Sequence, residues 1–113
     1  MPGHFPCRGD IYHVDFGPPI GSHFAVIVAA DAINSSDEVV LMAVITSKGL
    51  EKIYPNEFKL PEGLLRKPSK VACHRLVIVD KNELTDDSFQ NTIPKRDMQG
   101  LDSALMMALD LWK

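Results

Sequence analysis

Val39-Val40-Leu41-Met42-Ala43-Val44-Ile45-Thr46-Ser47 opens with seven consecutive apolar residues, rich in β-branched types, and closes on two hydroxyl side chains. Periodicity alone does not separate a strand buried on both faces from a buried helix, but a run this short favours the strand. A second apolar run, Phe24 to Ala30, lies just upstream, and the polar stretch Asp31 to Asp37 separates the two. The pair predicts the centre of a curled sheet, with Thr46 and Ser47 emerging where that centre meets solvent.

Working outward, Tyr12, Val14 and Phe16 alternate with Ile11, His13 and Asp15, which predicts a half-buried strand with His13 and Asp15 on its wetter side. Gly17-Pro18-Pro19-Ile20-Gly21-Ser22 must be a loop, because adjacent prolines remove two ladder donors. Asp31 to Asn34 is expected to make one helical turn. Short strands follow at 56–60 and 70–79; in the second, strict alternation sets His74 and Arg75 on opposite faces. Pro94 is placed at the first position of a terminal helix. There Met98, Leu101, Leu105, Ala108 and Trp112 recur at intervals of three and four, giving an apolar stripe. Gly100 weakens this helix by about 1 kcal/mol relative to alanine and is expected to permit close packing on the sheet. Four or five strands and one helix predict a mainly β fold: a small, strongly bent antiparallel barrel with a C-terminal α-helix.

With 113 residues, the chain has room for one domain. Residues 1–7, carrying Pro2, Gly3 and Pro6, read as an irregular arm, and residues 8–113 as the domain. A hydrophobic content of 45% and a charged content of 24% fit an ordinary globule. No apolar run approaches a membrane span, and no secretory signal is legible at the N-terminus, so the expectation is a cytoplasmic protein with no membrane partner. The net charge of −3 argues against a surface dominated by nucleic-acid binding but leaves room for a locally basic groove. Arg66, Lys67, Lys70 and Arg75 cluster in sequence in a way that would serve one.

Cys7 and Cys73 have no metal-binding spacing with His4, His13, His23 or His74, so neither a metal nor a cofactor is expected. The residues able to carry chemistry are His13, His23, Thr46, Ser47, His74, Arg75 and Asp80. Metal-free RNA cleavage needs a base for the 2′-hydroxyl, a cation for the phosphorane and an acid for the departing 5′-oxygen. Histidine serves either proton transfer, and arginine clamps phosphoryl oxygens. The same residues would be unremarkable at strand ends and in loops.

The order of segments adds a resemblance. Arg8-Gly9-Asp10 through Gly21-Ser22, the apolar strand and Asp31-Ala32-Ile33-Asn34 resemble the opening of the MazF/PemK family of toxins. Val44-Ile45-Thr46-Ser47 is similar to its second landmark. Gly63-Leu64, Pro68-Ser69-Lys70-Val71, Ile78-Val79-Asp80-Lys81 and Leu84 are similar to its third, and Met98 to Leu111 to its closing helix. The resemblance implies an SH3-like barrel that forms a homodimer and is the toxin half of a toxin–antitoxin pair. It further implies metal-independent endoribonuclease activity on single-stranded RNA, leaving 2′,3′-cyclic phosphate and 5′-hydroxyl ends. Thr46 matches the functional threonine, and Asp10 and Pro18 to Ser22 match residues shaping the groove.

The chain departs from the family where relatives carry a longer loop ending in Arg-Pro. Here Ser22 runs directly into His23-Phe24, with His23 near the arginine position, and the cationic set is not carried over residue by residue. Two functions follow. In the first, His23, Thr46, His74 and Arg75 form a substitute catalytic set, with Asp10, His13, Pro19, Ser22, Ser47 and Lys70 at the substrate. In the second, the barrel has lost cleavage and binds an antitoxin-like peptide, another protein or a nucleic acid.

Overall fold

The computed structural model describes residues 6–111, so most of the expected arm and Trp112 of the expected stripe lie outside the described residues. Strands β1 (Asp10–Asp15), β2 (Ser22–Ile27), β3 (Val39–Thr46), β4 (Glu57–Lys59), β5 (Lys70–Asp80) and β6 (Phe89–Thr92) form one antiparallel sheet in the order β4-β5-β3-β2-β1-β6. Helix α1 (Asp31–Asn34) is the single expected turn, and helix α2 (Met98–Ala108) closes the described fold. The expectation of a bent β-barrel with a terminal helix holds, with six strands rather than four or five.

Strand β3 is covered on both faces, as its unbroken apolar run requires. Ala43 and Ile45 join a core with Ile11, Val26, Val71, Cys73, Leu101 and Ala104, whereas Val40 and Met42 join a second with Tyr12, Val14, Ala25, Ile27 and Val79. Ile11, Val26, Ala43, Met42 and Leu101 are fully buried. At about 25 cal/mol per Å² of apolar area removed from water, each buried aliphatic side chain contributes about 1.5–3 kcal/mol. The sheet's two ends are drawn together where Asn91 Nδ2, on edge strand β6, donates to the Leu64 carbonyl at 3.0 Å, in the segment leaving the opposite edge strand.

Helix α2 begins four residues later than expected. Pro94 is extended (ψ 145°) and precedes a 3₁₀ turn at Lys95–Asp97. Gly100 does allow a close approach: a Cβ there would lie 2.5 Å from Cε1 of Phe58 on β4.

Two irregularities shape the rest. Along β3 and β5 the register runs Met42↔Val77 and Ala43↔Leu76, then jumps to Val44↔Ala72, leaving Cys73, His74 and Arg75 without partners on β3. Along β1 and β6, Ile11 faces Asn91 and Tyr12 faces Phe89, so Gln90 is an extra, bulged residue.

Candidate active site

A cleft of about 720 Å³ is lined by residues of β1, β2, β3, β5, β6 and the loops leaving β3 and β4. Lys48, Arg66, Lys67 and Arg75 line it beside His13 and His23, and no carboxylate of the described residues does. On a chain of net charge −3 this concentrates positive charge in one concavity, which attracts polyanions. Phe24, Ile45 and Leu65 supply apolar surface, and Thr46, Ser47, Ser22, Ser69 and Gln90 supply neutral polar groups.

His23 is positioned by the β1–β2 turn. Gly17 and Gly21 adopt φ of +72° and +79°, a region glycine enters without Cβ strain, and hydrogen bonds from Gly21 N to Gly17 O and from Phe16 N to Gly21 O close the turn. His23 Nε2 lies 3.0 Å from the Ile20 carbonyl. A carbonyl only accepts, so Nε2 donates, and in the neutral ring Nδ1 carries the lone pair. Ala25 pairs with Val44; continued by two residues, that register sets His23 level with Thr46. Thr46 ends β3, where its Oγ1 accepts from Lys48 N at 3.1 Å and its hydroxyl proton remains available for donation.

Strict alternation along β5 would set His74 and Arg75 on opposite faces, and the register jump falls at these two residues. Released from β3, both are exposed and both line a second concavity of about 470 Å³ together with Pro19, Ile20 and His23. His23 and Arg75 line both concavities and form the ridge between them. Asn56 Nδ2 donates to His74 Nδ1 at 2.9 Å, leaving the other ring nitrogen, Nε2, with the proton of the neutral ring. The two histidines thus present complementary forms, one a lone pair and the other an N–H.

The ten residues singled out from sequence therefore separate. His13, Ser22, His23, Thr46, Ser47 and Arg75 line the main cleft, while Pro19 and His74 lie on the adjoining concavity. Asp10 and Lys70 are directed elsewhere. Asp10 is 2% exposed and accepts from Cys7 N at 2.9 Å and Thr92 Oγ1 at 2.8 Å, tying the start of β1 to β6. Lys70 is 5% exposed and donates to Glu57 Oε1 at 2.9 Å and to the carbonyls of Gly49 at 2.7 Å and Lys52 at 3.3 Å. Its ammonium pins the loop after β3, whose first residues, Ser47 and Lys48, wall the cleft. Both are frame residues rather than substrate contacts, because each is enclosed and spent on internal partners, Asp10 on hydrogen-bond donors and Lys70 on the Glu57 carboxylate.

Sequence reasoning missed Lys48 and Gln90. Lys48 follows the Thr-Ser strand exit directly, which was the available signal; Gln90 enters through a bulge that no local pattern announces. Neither cysteine is prepared as a nucleophile: burial, with Glu57 nearby, pushes the Cys73 thiol up to about 12, and burial followed by Asp31 and Asp10 also raises Cys7. Among the described residues no group of three or more His, Cys, Asp or Glu side chains is arranged to hold a metal.

The family model for the PemK-like, MazF-like toxin of type II toxin–antitoxin systems matches residues 7–109. Endoribonuclease MazF6 of Mycobacterium tuberculosis and endoribonuclease MazF2 of Mycobacterium bovis are each 34% identical over 112 residues, spanning 92% of this chain and 96% of theirs. Among solved structures, a mycobacterial endoribonuclease in complex with its cognate antitoxin superposes with a TM-score of 0.81 at 25% identity, covering 96% of this chain and 99% of its own. The MazE–MazF complex of Deinococcus radiodurans superposes with a TM-score of 0.72 at 19% identity over 95% and 97% of the two chains, a likeness of fold. With a basic cleft on a bent barrel and a family match over nearly its whole length, the chain belongs to the PemK-like, MazF-like toxin family of type II toxin–antitoxin systems.

Proposed function

We propose that this protein is the endoribonuclease toxin of a toxin–antitoxin pair and cleaves single-stranded RNA without a metal, by attack of the ribose 2′-hydroxyl on the neighbouring phosphodiester. The observation that carries the proposal is the cleft in which His23, Thr46 and Arg75 meet three further cations and no described carboxylate. The backbone of a single strand is neutralised by Lys48, Arg66 and Lys67, and its unstacked bases find apolar surface at Phe24 and Leu65.

His23 Nδ1 takes the 2′-hydroxyl proton, and the 2′-oxygen forms a bond to phosphorus. Arg75 holds the charge of the phosphorane in its guanidinium fork, and Thr46 donates to a non-bridging oxygen. The bond from phosphorus to the 5′-oxygen breaks, and that oxygen takes a proton from His74 Nε2. The products are a 2′,3′-cyclic phosphate and a 5′-hydroxyl, so one proton is removed and one supplied. The Ile20 carbonyl and the Asn56 amide select the ring nitrogens that act, as second partners of histidine commonly do. A homodimer, and an antitoxin segment laid over the same cleft, are the assemblies this reading carries with it by kinship with MazE–MazF complexes.

Purified protein incubated with long single-stranded RNA in excess chelator tests the reading. Expected are fragments whose 5′ ends accept phosphate from a polynucleotide kinase without prior dephosphorylation, and a loss of about 10²–10⁴-fold in rate in His23→Ala. RNA left intact by folded protein, or a cleavage rate unchanged in both His23→Ala and Arg75→Ala, overturns it; RNA bound but uncut identifies a binding module instead.

A further inference from the structure

The cleft holds more than a reaction centre. At its β1–β6 side the bulge opposite Ile11 and Tyr12 re-aims one residue, Gln90, out of the ladder and into the cleft. Gln90 is exposed, and no described residue hydrogen-bonds its side-chain amide. The same cleft lining holds His13 and Phe24, paired across β1 and β2 with ring centroids 5.1 Å apart and planes at 74°. An aromatic pair and a carboxamide on one cleft lining, with Phe24 next in sequence to the proposed base, have the composition of a nucleobase pocket rather than of a phosphate clamp.

We propose that His13, Phe24 and Gln90 form the subsite that reads one unpaired base of the bound strand, and that this base is adenine. The inference rests on the reading of the cleft as a single-stranded RNA site. Stacking on one ring, with the other meeting the base at its edge, is indifferent to base identity, because every base has a π face. Selection therefore falls to the carboxamide, which offers one acceptor and one donor side by side. Adenine answers that pair on both of its accessible edges, with N6–H₂ and N1 on one and N6–H₂ and N7 on the other. The other bases answer a carboxamide on their Watson–Crick edges, guanine through N1–H and O6, but guanine presents two acceptors on its N7 edge and the pyrimidines have no such edge, so adenine is distinguished by fitting on both. A bidentate fit is therefore available to adenine in either glycosidic orientation.

The test is binding, so that it stays readable whether or not the protein cuts RNA. Wild type, Gln90→Ala and Gln90→Glu are each incubated with a random-sequence octamer library of 2′-O-methyl RNA, which lacks the attacking hydroxyl, and the bound fraction is sequenced. Wild type is expected to enrich adenine at one position by about tenfold or more. Gln90→Ala is expected to lose that enrichment. Gln90→Glu, whose carboxylate only accepts, is expected to move it to guanine, which presents the adjacent donors N1–H and N2–H₂. Because Gln90 is an exposed residue of an edge strand, unchanged melting temperatures check that all three proteins are folded. Absence of any positional preference in wild type, or the same adenine preference in all three proteins, overturns the subsite. Failure of the chelator cleavage assay with this enrichment intact would instead remove the proposed chemistry and leave the subsite standing.

Discussion

Lys70→Met separates a frame residue from a substrate contact. The ammonium and the Glu57 carboxylate are 6% and 10% exposed and 2.9 Å apart, and the same nitrogen also serves two loop carbonyls. Methionine keeps most of the aliphatic volume but leaves the carboxylate and both carbonyls without that donor. Breaking a buried pair from one side costs about 3–5 kcal/mol, a large share of the roughly 5–15 kcal/mol that holds a domain of this size. With a urea m-value of about 2 kcal/mol/M, the unfolding midpoint should fall by roughly 1.5–2.5 M. Glu57→Gln keeps an acceptor for Lys70 and should cost less, so the order of the two variants is itself a prediction. Were Lys70 a phosphate contact, the opposite pattern would appear: stability within about 0.5 kcal/mol of wild type and a salt dependence of RNA binding lowered by about one unit. A midpoint shift worth under about 1 kcal/mol at unchanged m refutes the frame assignment.

Gly100→Ala pits about 1 kcal/mol of helix propensity against a Cβ placed 2.5 and 2.9 Å from two ring carbons of Phe58. Overpacking of this kind costs about 1–3 kcal/mol, so urea titration should show net destabilisation, and adding Phe58→Leu should reverse its sign; a stabilised single variant would refute the close approach. Stability should also fall in acid. Burial pushes the Glu57 carboxyl up, but the Tyr54 N–H, Lys70 and His74 outweigh it and leave it below its ordinary value; Asp31 is held low chiefly by the Arg8 N–H and then by Asn34. Groups depressed on folding contribute fully above their unfolded values, about 3.9 for Asp and 4.3 for Glu, and lose that contribution as pH falls through the folded ones. Urea midpoints from pH 7 to 3 should therefore drop below about pH 5, with a shallower slope in Glu57→Gln; parallel slopes would exclude Glu57 as a cause.

The parts legible in sequence were those a single local rule determines. An apolar run with polar boundaries specified β3, two prolines between glycines specified the turn that carries His23, and a glycine inside an apolar helical stripe announced the contact with Phe58. Strand β6 went unread because Phe89-Gln90-Asn91-Thr92 is too short and too amide-rich to show a strand preference; pairing with β1 makes it a strand. Lys70 was misplaced for a related reason. Sequence neighbours Arg66 and Lys67 do reach the cleft, but Lys70 belongs to β5, where Glu57 and two carbonyls of the loop after β3 enclose it.

The β5 irregularity explains why the cleft lies where it does. Val71 and Cys73 belong to the first core, whereas Val77 packs against and Val79 belongs to the second, although all four share one parity. A strand of strict period two cannot serve both cores from one parity, since its alternate residues stay on one face. Omitting an odd number of residues from the pairing with β3 exchanges the faces, and the three left out are Cys73, His74 and Arg75. Cys73 is small and apolar and remains buried, so the two residues expelled to solvent at the crossing are an imidazole and a guanidinium. They emerge beside β2, where His23 lies one turn after Pro18-Pro19. The change of core and the meeting of His23, His74 and Arg75 are thus one event. Removing the three residues would preserve the remaining β3–β5 register while abolishing the ridge between the two concavities.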